Sequence, residues 1–194
     1  MTNPSDIELW NAFVRGDSDA FGQLFRLHYA PLFQYGSKIC PDRTVLEDAI
    51  QELFAEVWQR KPQAPLSVRA YLLQALKFKL YRAYRSTRTV RIVQPGNEEL
   101  FELSHEHFMV AAAEDEERKR KVFEVLNSLP ARQREIIYLR IYKGLSYEDV
   151  SQIMNLNYQV VRNLLCQALK TFRRLMMPVL AVLVSLHHIS FVQS

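Results

Sequence analysis

The chain has 194 residues, of which 48% are hydrophobic and only five are glycine, so it can bury one large or two small cores and is poorly suited to a β-rich fold. Its 25 basic and 21 acidic residues give a formal net charge of +4. Two cysteines far apart in sequence argue against a disulfide framework and a zinc site, and polar first residues argue against a secretion signal, so we expect a cytoplasmic protein.

Apolar residues recur at spacings of three and four along nearly the whole chain, which predicts an all-α fold. Charge divides this chain into parts. Residues 1–86 are almost neutral, residues 87–117 hold two arginines against eight acidic residues, and residues 118–194 hold twelve basic residues against four acidic ones. We therefore expect two small helical domains, 1–86 and 118–175, joined by an acidic linker at 87–117.

Two segments leave alternatives open. The acidic linker can be solvated spacing, can lie in a basic cleft of a partner, or can fold back over the two domains. The apolar run from Leu175 to Leu186, which leads into the tail at 176–194 and is interrupted by Pro178 and Ser185, is too short to cross a membrane, which takes about 20 apolar residues. We expect it to dock onto its own domain, with contact to a partner as the alternative.

The first domain contains capping residues for three predicted helices. Ser5 with Glu8, and Thr44 with Glu47, have the spacing of capping boxes, and Ser67 can cap a further helix. The helix after Thr44 carries an acidic and amide-rich outer face with two aromatic residues beside it. Acidic side chains suit a solvated face, but tryptophan among polar residues is typical of a protein-binding hot spot. The candidate protein-binding residues are Asp48, Gln51, Glu52, Phe54, Glu56 and Trp58.

The helix after Ser67 interleaves basic and aromatic residues along one stripe. This composition suits melted DNA, because cations hold phosphates while rings stack on exposed bases. A solvated basic face with half-buried tyrosines is the alternative. The candidate DNA-binding residues of this helix are Lys77, Tyr81, Arg82, Tyr84 and Arg85.

Residues 144–165 have the pattern of two short helices joined by a tight turn. Ser146 and Asp149 form a capping box, Asn155 suits a left-handed turn, and Asn157 can cap the second helix. An ordinary helical hairpin is the alternative, but the basic charge of residues 118–194 favours a DNA-reading helix-turn-helix. The candidate DNA-binding residues of the second helix are Tyr158, Gln159, Arg162, Asn163 and Gln167, followed by Lys170 and Arg173 along a phosphate backbone.

Together these segments resemble the extracytoplasmic-function sigma factors of bacterial transcription. Residues 46–58 contain every letter of the pattern E-D-x-x-Q-E-x-F-x-x-x-W of that family's polymerase-binding helix. Residues 61–66 stand where the family has a loop that captures a flipped base, and residues 129–135 and 144–149 resemble the start of its −35-reading domain. The second helix of the helix-turn-helix is less basic than is usual, and the tail beyond Arg174 exceeds the usual end.

The resemblance implies a promoter-specificity factor that binds core RNA polymerase, recognises the −35 and −10 promoter elements, and assists strand opening at initiation. It also implies control by an anti-sigma factor. We expect no catalysis, no cofactor and no metal, because the sequence offers no nucleophile–base pair, phosphate loop or metal-spaced carboxylates. We also expect no membrane insertion, because the apolar run near the end of the chain is too short. The main alternative is a polymerase-independent helix-turn-helix regulator with a ligand-sensing first domain, and a second is a helical nuclease or helicase loader. The basic stripe argues against the first and the lack of catalytic carboxylates against the second.

Overall fold

The computed structural model describes residues 5–87, 101–103 and 116–192, and it describes side chains for residues 5–84, 101–103 and 120–177. These residues form α-helices and no strand, which confirms the all-α prediction. A π-helical turn at Tyr138–Tyr142 follows the sixth helix. The helices are α1 (Asp6–Val14), α2 (Ser18–Gly36), α3 (Arg43–Arg60), α4 (Val68–Thr87), α5 (Glu116–Ser128), α6 (Ala131–Ile137), α7 (Tyr147–Met154) and α8 (Tyr158–Val192).

The chain divides into two compact units by its contacts. The first comprises Met1–Leu100 with Ser146–Tyr158, and the second comprises Phe101–Leu145 with Gln159–Ser194. In the first unit, α4 contacts α1, α2, α3 and α7. The helix that carries the predicted basic stripe is therefore packed on several sides.

Two of the predicted helix starts in the first unit are confirmed. Ser5 and Glu8 form a complete capping box, in which each side chain bonds the backbone N–H of the other residue. The Ser67 hydroxyl accepts a hydrogen bond from the N–H of Ala70 at 3.2 Å, and α4 begins directly after it. Side-chain oxygens thus satisfy backbone donors that a first helical turn leaves open.

The start of α3 differs from the prediction. Asp42, not Thr44, is the cap: its carboxylate accepts from the N–H groups of Thr44 and Val45 at 2.9 and 3.2 Å. A carboxylate accepts several donors and is favoured by the positive end of the helix dipole, so it prevails over a nearby hydroxyl. Glu47, the expected partner of Thr44, instead forms an ion pair with Arg43 at 2.8 Å.

The core of the first unit brings three helices very close at Gly36, the last residue of α2. A Cβ atom placed on Gly36 would lie 2.3 Å from Cδ1 of Leu46 and 3.2 Å from Cδ2 of Leu76. Only glycine fits at this distance, since carbon atoms in contact lie about 3.5–4.0 Å apart. The fully buried side chains around this core include Trp10, Phe13, Leu24, Leu32, Tyr35, Leu46, Ile50, Leu72 and Leu76.

A short segment of the expected acidic linker packs into the second unit. Phe101 is completely buried with its ring centroid 5.5 Å from that of Tyr138. The amide of Asn127 bonds both backbone groups of Leu103: its oxygen accepts from the N–H at 3.2 Å, and its nitrogen donates to the carbonyl at 3.1 Å. The linker is therefore not solvated spacing over its whole length.

The last helix is longer than the sequence pattern suggests. α8 continues through Pro178 and ends at Val192, so the expected tail prolongs this helix. Side chains beyond residue 177 lie outside the described part, and whether the tail docks stays a prediction. Within the described residues, no helix combines the length and the apolarity needed to cross a membrane.

Candidate protein-binding and DNA-binding surfaces

α3 presents one polar face to solvent because its core-facing residues follow a helical repeat. Leu46, Ile50, Leu53 and Val57 are buried at spacings of three and four. The opposite side exposes Asp48, Gln51 and Glu52 and leaves Glu56 half-buried. We call these four residues the acidic face. The structure thus places four of the six predicted protein-binding residues together on one surface.

The two aromatic candidates of α3 differ in exposure. Trp58 is 41% exposed, with its ring centroid 4.9 Å from that of Phe21. Phe54 is only 4% exposed and packs against Phe21 and Phe25 at 6.0 and 4.8 Å. The expectation that Phe54 is a surface anchor is wrong, because it follows Ile50 by four residues and so lies on the buried stripe. Trp58 remains as the exposed ring beside the acidic face.

The connection between α3 and α4 is fixed at one end and exposed at the other. Lys61 ends α3 in the left-handed conformation (φ 41°, ψ 58°), with its ammonium 5.6 Å from the Trp58 ring centroid. The indole N–H of Trp10 donates to the carbonyl of Pro62 at 2.9 Å. Leu66, near the other end, is fully exposed. The start of this loop is therefore anchored to α1.

A cavity of about 480 Å³ lies between α3 and α4, and we call it the α3–α4 cavity. Its walls include three cations, two aromatic rings and one carboxylate: Arg60, Lys79, Arg82, Tyr71, Phe78 and Glu56. Cations beside rings are the combination that binds single-stranded nucleic acid. Among the residues that the structure describes, no cluster of three or more His, Cys, Asp or Glu side chains is arranged to hold a metal ion.

Sequence reasoning missed Lys79, which joins the acidic face to this cavity. Its ammonium lies 2.6 Å from Oε1 of Glu56 and 3.6 Å from Oε2 of Glu52. The hydrogen bond from Lys79 is the main cause that lowers the pKa of Glu56, and the charges of Lys79, Arg60 and Arg82 lower it further against the effect of burial. Lys79 and Glu56 are 23 residues apart on different helices, so no local spacing could have indicated this pair.

The predicted stripe on α4 is only partly exposed. Arg82 is exposed, Tyr81 and Tyr84 are half-buried, and the side chain of Arg85 lies outside the described residues. Lys77 is 3% exposed, which corrects the expectation that it lies on an open surface; its ammonium is 5.8 Å from the Tyr81 ring centroid. The prediction from spacing assumed that only one side of the helix is packed. Because α4 contacts four other helices, part of the predicted basic stripe is buried.

The predicted cap and turn of the helix-turn-helix are confirmed. The Ser146 hydroxyl accepts from the N–H of Asp149 at 3.0 Å. Asn155 ends α7 in the left-handed conformation (φ 50°, ψ 49°), and its N–H donates to the carbonyl of Gln152. Asparagine tolerates this conformation better than most residues. α8 then begins at Tyr158.

The first four turns of α8 bury one apolar stripe and expose the predicted polar residues. Val161, Leu165 and Ala168 are buried. The Gln159 amide donates to the Asn163 amide oxygen at 3.1 Å, which orders two neighbouring polar side chains one turn apart. All seven predicted DNA-binding residues of this helix are exposed, and we call them the recognition face: Tyr158, Gln159, Arg162, Asn163, Gln167, Lys170 and Arg173.

Comparisons with known proteins match both halves of the chain. The family "Sigma-70 region 2" matches residues 24–90, which include α3 and α4. The family "Sigma-70, region 4" matches residues 119–172, which include α7 and the recognition face except Arg173. A similar protein is the ECF RNA polymerase sigma factor SigK of Mycobacterium ulcerans, which is 26% identical over 172 residues that cover 85% of this chain and 90% of that protein.

Two solved structures share the fold. One is CnrH in complex with the cytosolic domain of CnrY, with a TM-score of 0.60, 21% identity, and coverage of 88% of this chain and 96% of that one. The other is the sigma factor RpoE in complex with the anti-sigma factor NepR from Bartonella quintana, with a TM-score of 0.53, 20% identity, and coverage of 80% and 96%.

Proposed function

The chain belongs to the extracytoplasmic-function sigma factors, the promoter-specificity subunits of bacterial RNA polymerase, and from that premise we propose a role for each of its surfaces. The observation that carries the proposal is that the region 2 match spans the acidic face and the α3–α4 cavity, while the region 4 match spans most of the recognition face. Residues 1–86 are then the polymerase-binding and −10-binding domain, and residues 118–175 the −35-binding domain.

The acidic face with Trp58 is proposed to bind core RNA polymerase. Exposed acidic side chains speed association with a basic surface but contribute little affinity each, because water and salt screen them. A half-exposed tryptophan whose ring already packs against Phe21 loses little conformational freedom on binding and can supply the apolar hot spot. The acidic side chains therefore raise the rate of association with polymerase, and Trp58 supplies most of the affinity.

The recognition face and the α3–α4 cavity are proposed to bind the two promoter elements. A helix with exposed Arg162, Gln159 and Asn163 in its first turns has the donors and acceptors that read base edges in the major groove. The cavity, with its cations and rings, suits the −10 strand once the duplex has opened. The exposed Arg82 lines this cavity, and the half-buried Tyr81 precedes it on α4.

We further propose that the protein is a regulatory subunit without catalysis of its own, so that nucleotidyl transfer belongs to the polymerase. It would then act in the bacterial cytoplasm, where core polymerase meets DNA. Because the solved relatives CnrH and RpoE are bound to CnrY and NepR, we propose that an anti-sigma factor also binds this chain and covers its polymerase-binding or DNA-binding surfaces.

The test compares the chain alone with the chain bound to core polymerase. Promoter fragments selected from genomic DNA by the holoenzyme should be bound weakly and in a salt-sensitive manner by the free chain, and tightly by the holoenzyme, which should also start transcription on them. Tight and sequence-specific binding of the same fragments by the free chain, without capture of core polymerase, would support the polymerase-independent regulator instead.

A further inference from the structure

Lys79 belongs to two surfaces at once. It is one of the residues that line the α3–α4 cavity, and its ammonium is bonded to Glu56 and lies within ion-pair distance of Glu52, both of the acidic face. The Lys79 side chain is only 17% exposed, whereas Glu52 and Glu56 are 71% and 46% exposed. A cation from outside can therefore reach the two carboxylates, although the lysine between them and the cavity is largely covered.

The carboxylate of Glu56 also weakens the positive charge of the cavity. Arg60, Lys79 and Arg82 all lie close enough to affect the Glu56 carboxylate electrostatically. A phosphate that enters the cavity must compete with this carboxylate for the ammonium of Lys79. The cavity is consequently a weaker anion site in the free chain than its three cations alone would make it.

Exchange of the partner of Glu56 costs little. The pair is partly exposed on the side of Glu56, and such pairs contribute little net free energy, whereas the largely covered ammonium of Lys79 is costly to leave without an anion and so favours a new anionic partner. If a basic surface binds Glu52 and Glu56, Lys79 loses both carboxylates as partners. Its flexible stem then allows the ammonium to turn toward the cavity without movement of the backbone.

We propose that Lys79 contacts a DNA phosphate only after core polymerase has bound the acidic face. Until then its ammonium pairs with the carboxylates of Glu56 and Glu52. Polymerase binding frees the ammonium, which then binds the backbone of the single strand in the α3–α4 cavity. This inference rests on the proposed function, because it needs both the polymerase role of the acidic face and the DNA role of the cavity. By linkage, a bound single strand should strengthen polymerase binding by the same factor.

The first experiment imitates polymerase binding by removing the carboxylate. The free, full-length chain is titrated into a labelled 12-nucleotide single-stranded DNA of random sequence, and fluorescence anisotropy is measured over a range of salt concentrations. Glu56→Gln should tighten binding about two- to fivefold and steepen the dependence of log K on log salt by about 0.7, as expected for one more phosphate contact on a single strand.

Glu47→Gln is the matched control. It removes the same charge from the same helix, but Glu47 pairs with Arg43 and is not among the residues that line the cavity. The control should change affinity and salt slope much less than Glu56→Gln. If both substitutions tighten binding equally, the effect is one of net charge and the inference is overturned.

The second experiment uses Lys79→Gln with and without core polymerase. In the free chain, where Glu56 and Glu52 pair with Lys79, this substitution should change single-strand affinity by less than about twofold. In the holoenzyme it should lower the affinity for the same strand about two- to fivefold, the factor expected when Glu56→Gln frees the same ammonium. An equal loss in both states overturns the inference while the proposed function stands. Failure of the wild-type chain to bind core polymerase overturns both.

Discussion

Removal of the Trp58 ring tests the proposed polymerase-binding surface most directly. The side chain is 41% exposed, and since a tryptophan offers at most about 250 Å² of surface, about 100 Å² remains to be covered by a partner. At about 25 cal/mol per Å² this area corresponds to about 2.5 kcal/mol, or close to a 70-fold loss of affinity. We expect Trp58→Ala to weaken binding to core polymerase by about that factor, measured by biolayer interferometry on folded protein.

Two further variants show whether the loss belongs to the surface. Leu27→Ala removes a side chain of similar exposure, 44%, from α2 instead of α3 and should change the affinity by less than about twofold. Phe54→Leu should lower the free energy of unfolding, since Phe54 is buried, but leave the affinity of the folded protein unchanged. The reasoning is refuted if Trp58→Ala, with its helical content intact, binds polymerase within about threefold of the wild type, or if Leu27→Ala weakens binding equally.

Three other predictions concern packing, base reading and pH. Gly36→Ala should destabilise the protein by about 1–3 kcal/mol in urea denaturation, because the added Cβ would meet a leucine methyl carbon of α3 at 2.3 Å. Gly22→Ala, in the same helix, meets only an arginine side chain at 3.5 Å and should stabilise by up to about 1 kcal/mol, so equal effects would contradict the packing argument. Arg162→Ala and Gln159→Ala should each weaken the base preference in the −35 element by about 1–3 kcal/mol when the holoenzyme selects promoters from a library. If neither variant changes the preference, these two residues do not read bases. Burial lowers the pKa of His28 although its partner Asp6 opposes this effect, so the unfolded chain binds a proton more readily than the folded one. Thermal stability should therefore decrease as the pH falls below about 6.5, and His28→Gln should flatten that decrease.

Features that depend on a few neighbouring residues could be predicted from the sequence. The cap at Ser146 and the left-handed turn at Asn155 were predicted, because each needs only one suitable side chain at a fixed spacing from the helix. The cap of α3 was assigned to Thr44 instead of Asp42 because two acceptors lie two residues apart, and the pattern alone does not decide between them. Here the competing signals were local, and the stronger acceptor prevailed.

Features that depend on packing between helices could not be predicted in the same way. Phe54 and Lys77 were placed on open surfaces by their spacing, but the aromatic side chains of α2 cover Phe54 and α4 is packed on several sides. Lys79 was overlooked for the converse reason, since its importance comes from a contact with Glu56 on another helix. Helical periodicity tells which residues share a face; it does not tell how many neighbours a helix has.

The buried Phe101 and Leu103 determine where a fragment that contains the second unit should begin. A fragment cut at residue 118, where the basic charge begins, would uncover the ring of Tyr138 and leave the amide of Asn127 without the backbone that it holds in the full chain. Arg134 donates to both the backbone and the side-chain oxygen of Asn127, so the disturbance would reach α6 as well. A fragment that begins before Phe101 keeps these contacts, so we expect the shorter fragment, cut at residue 118, to aggregate more readily.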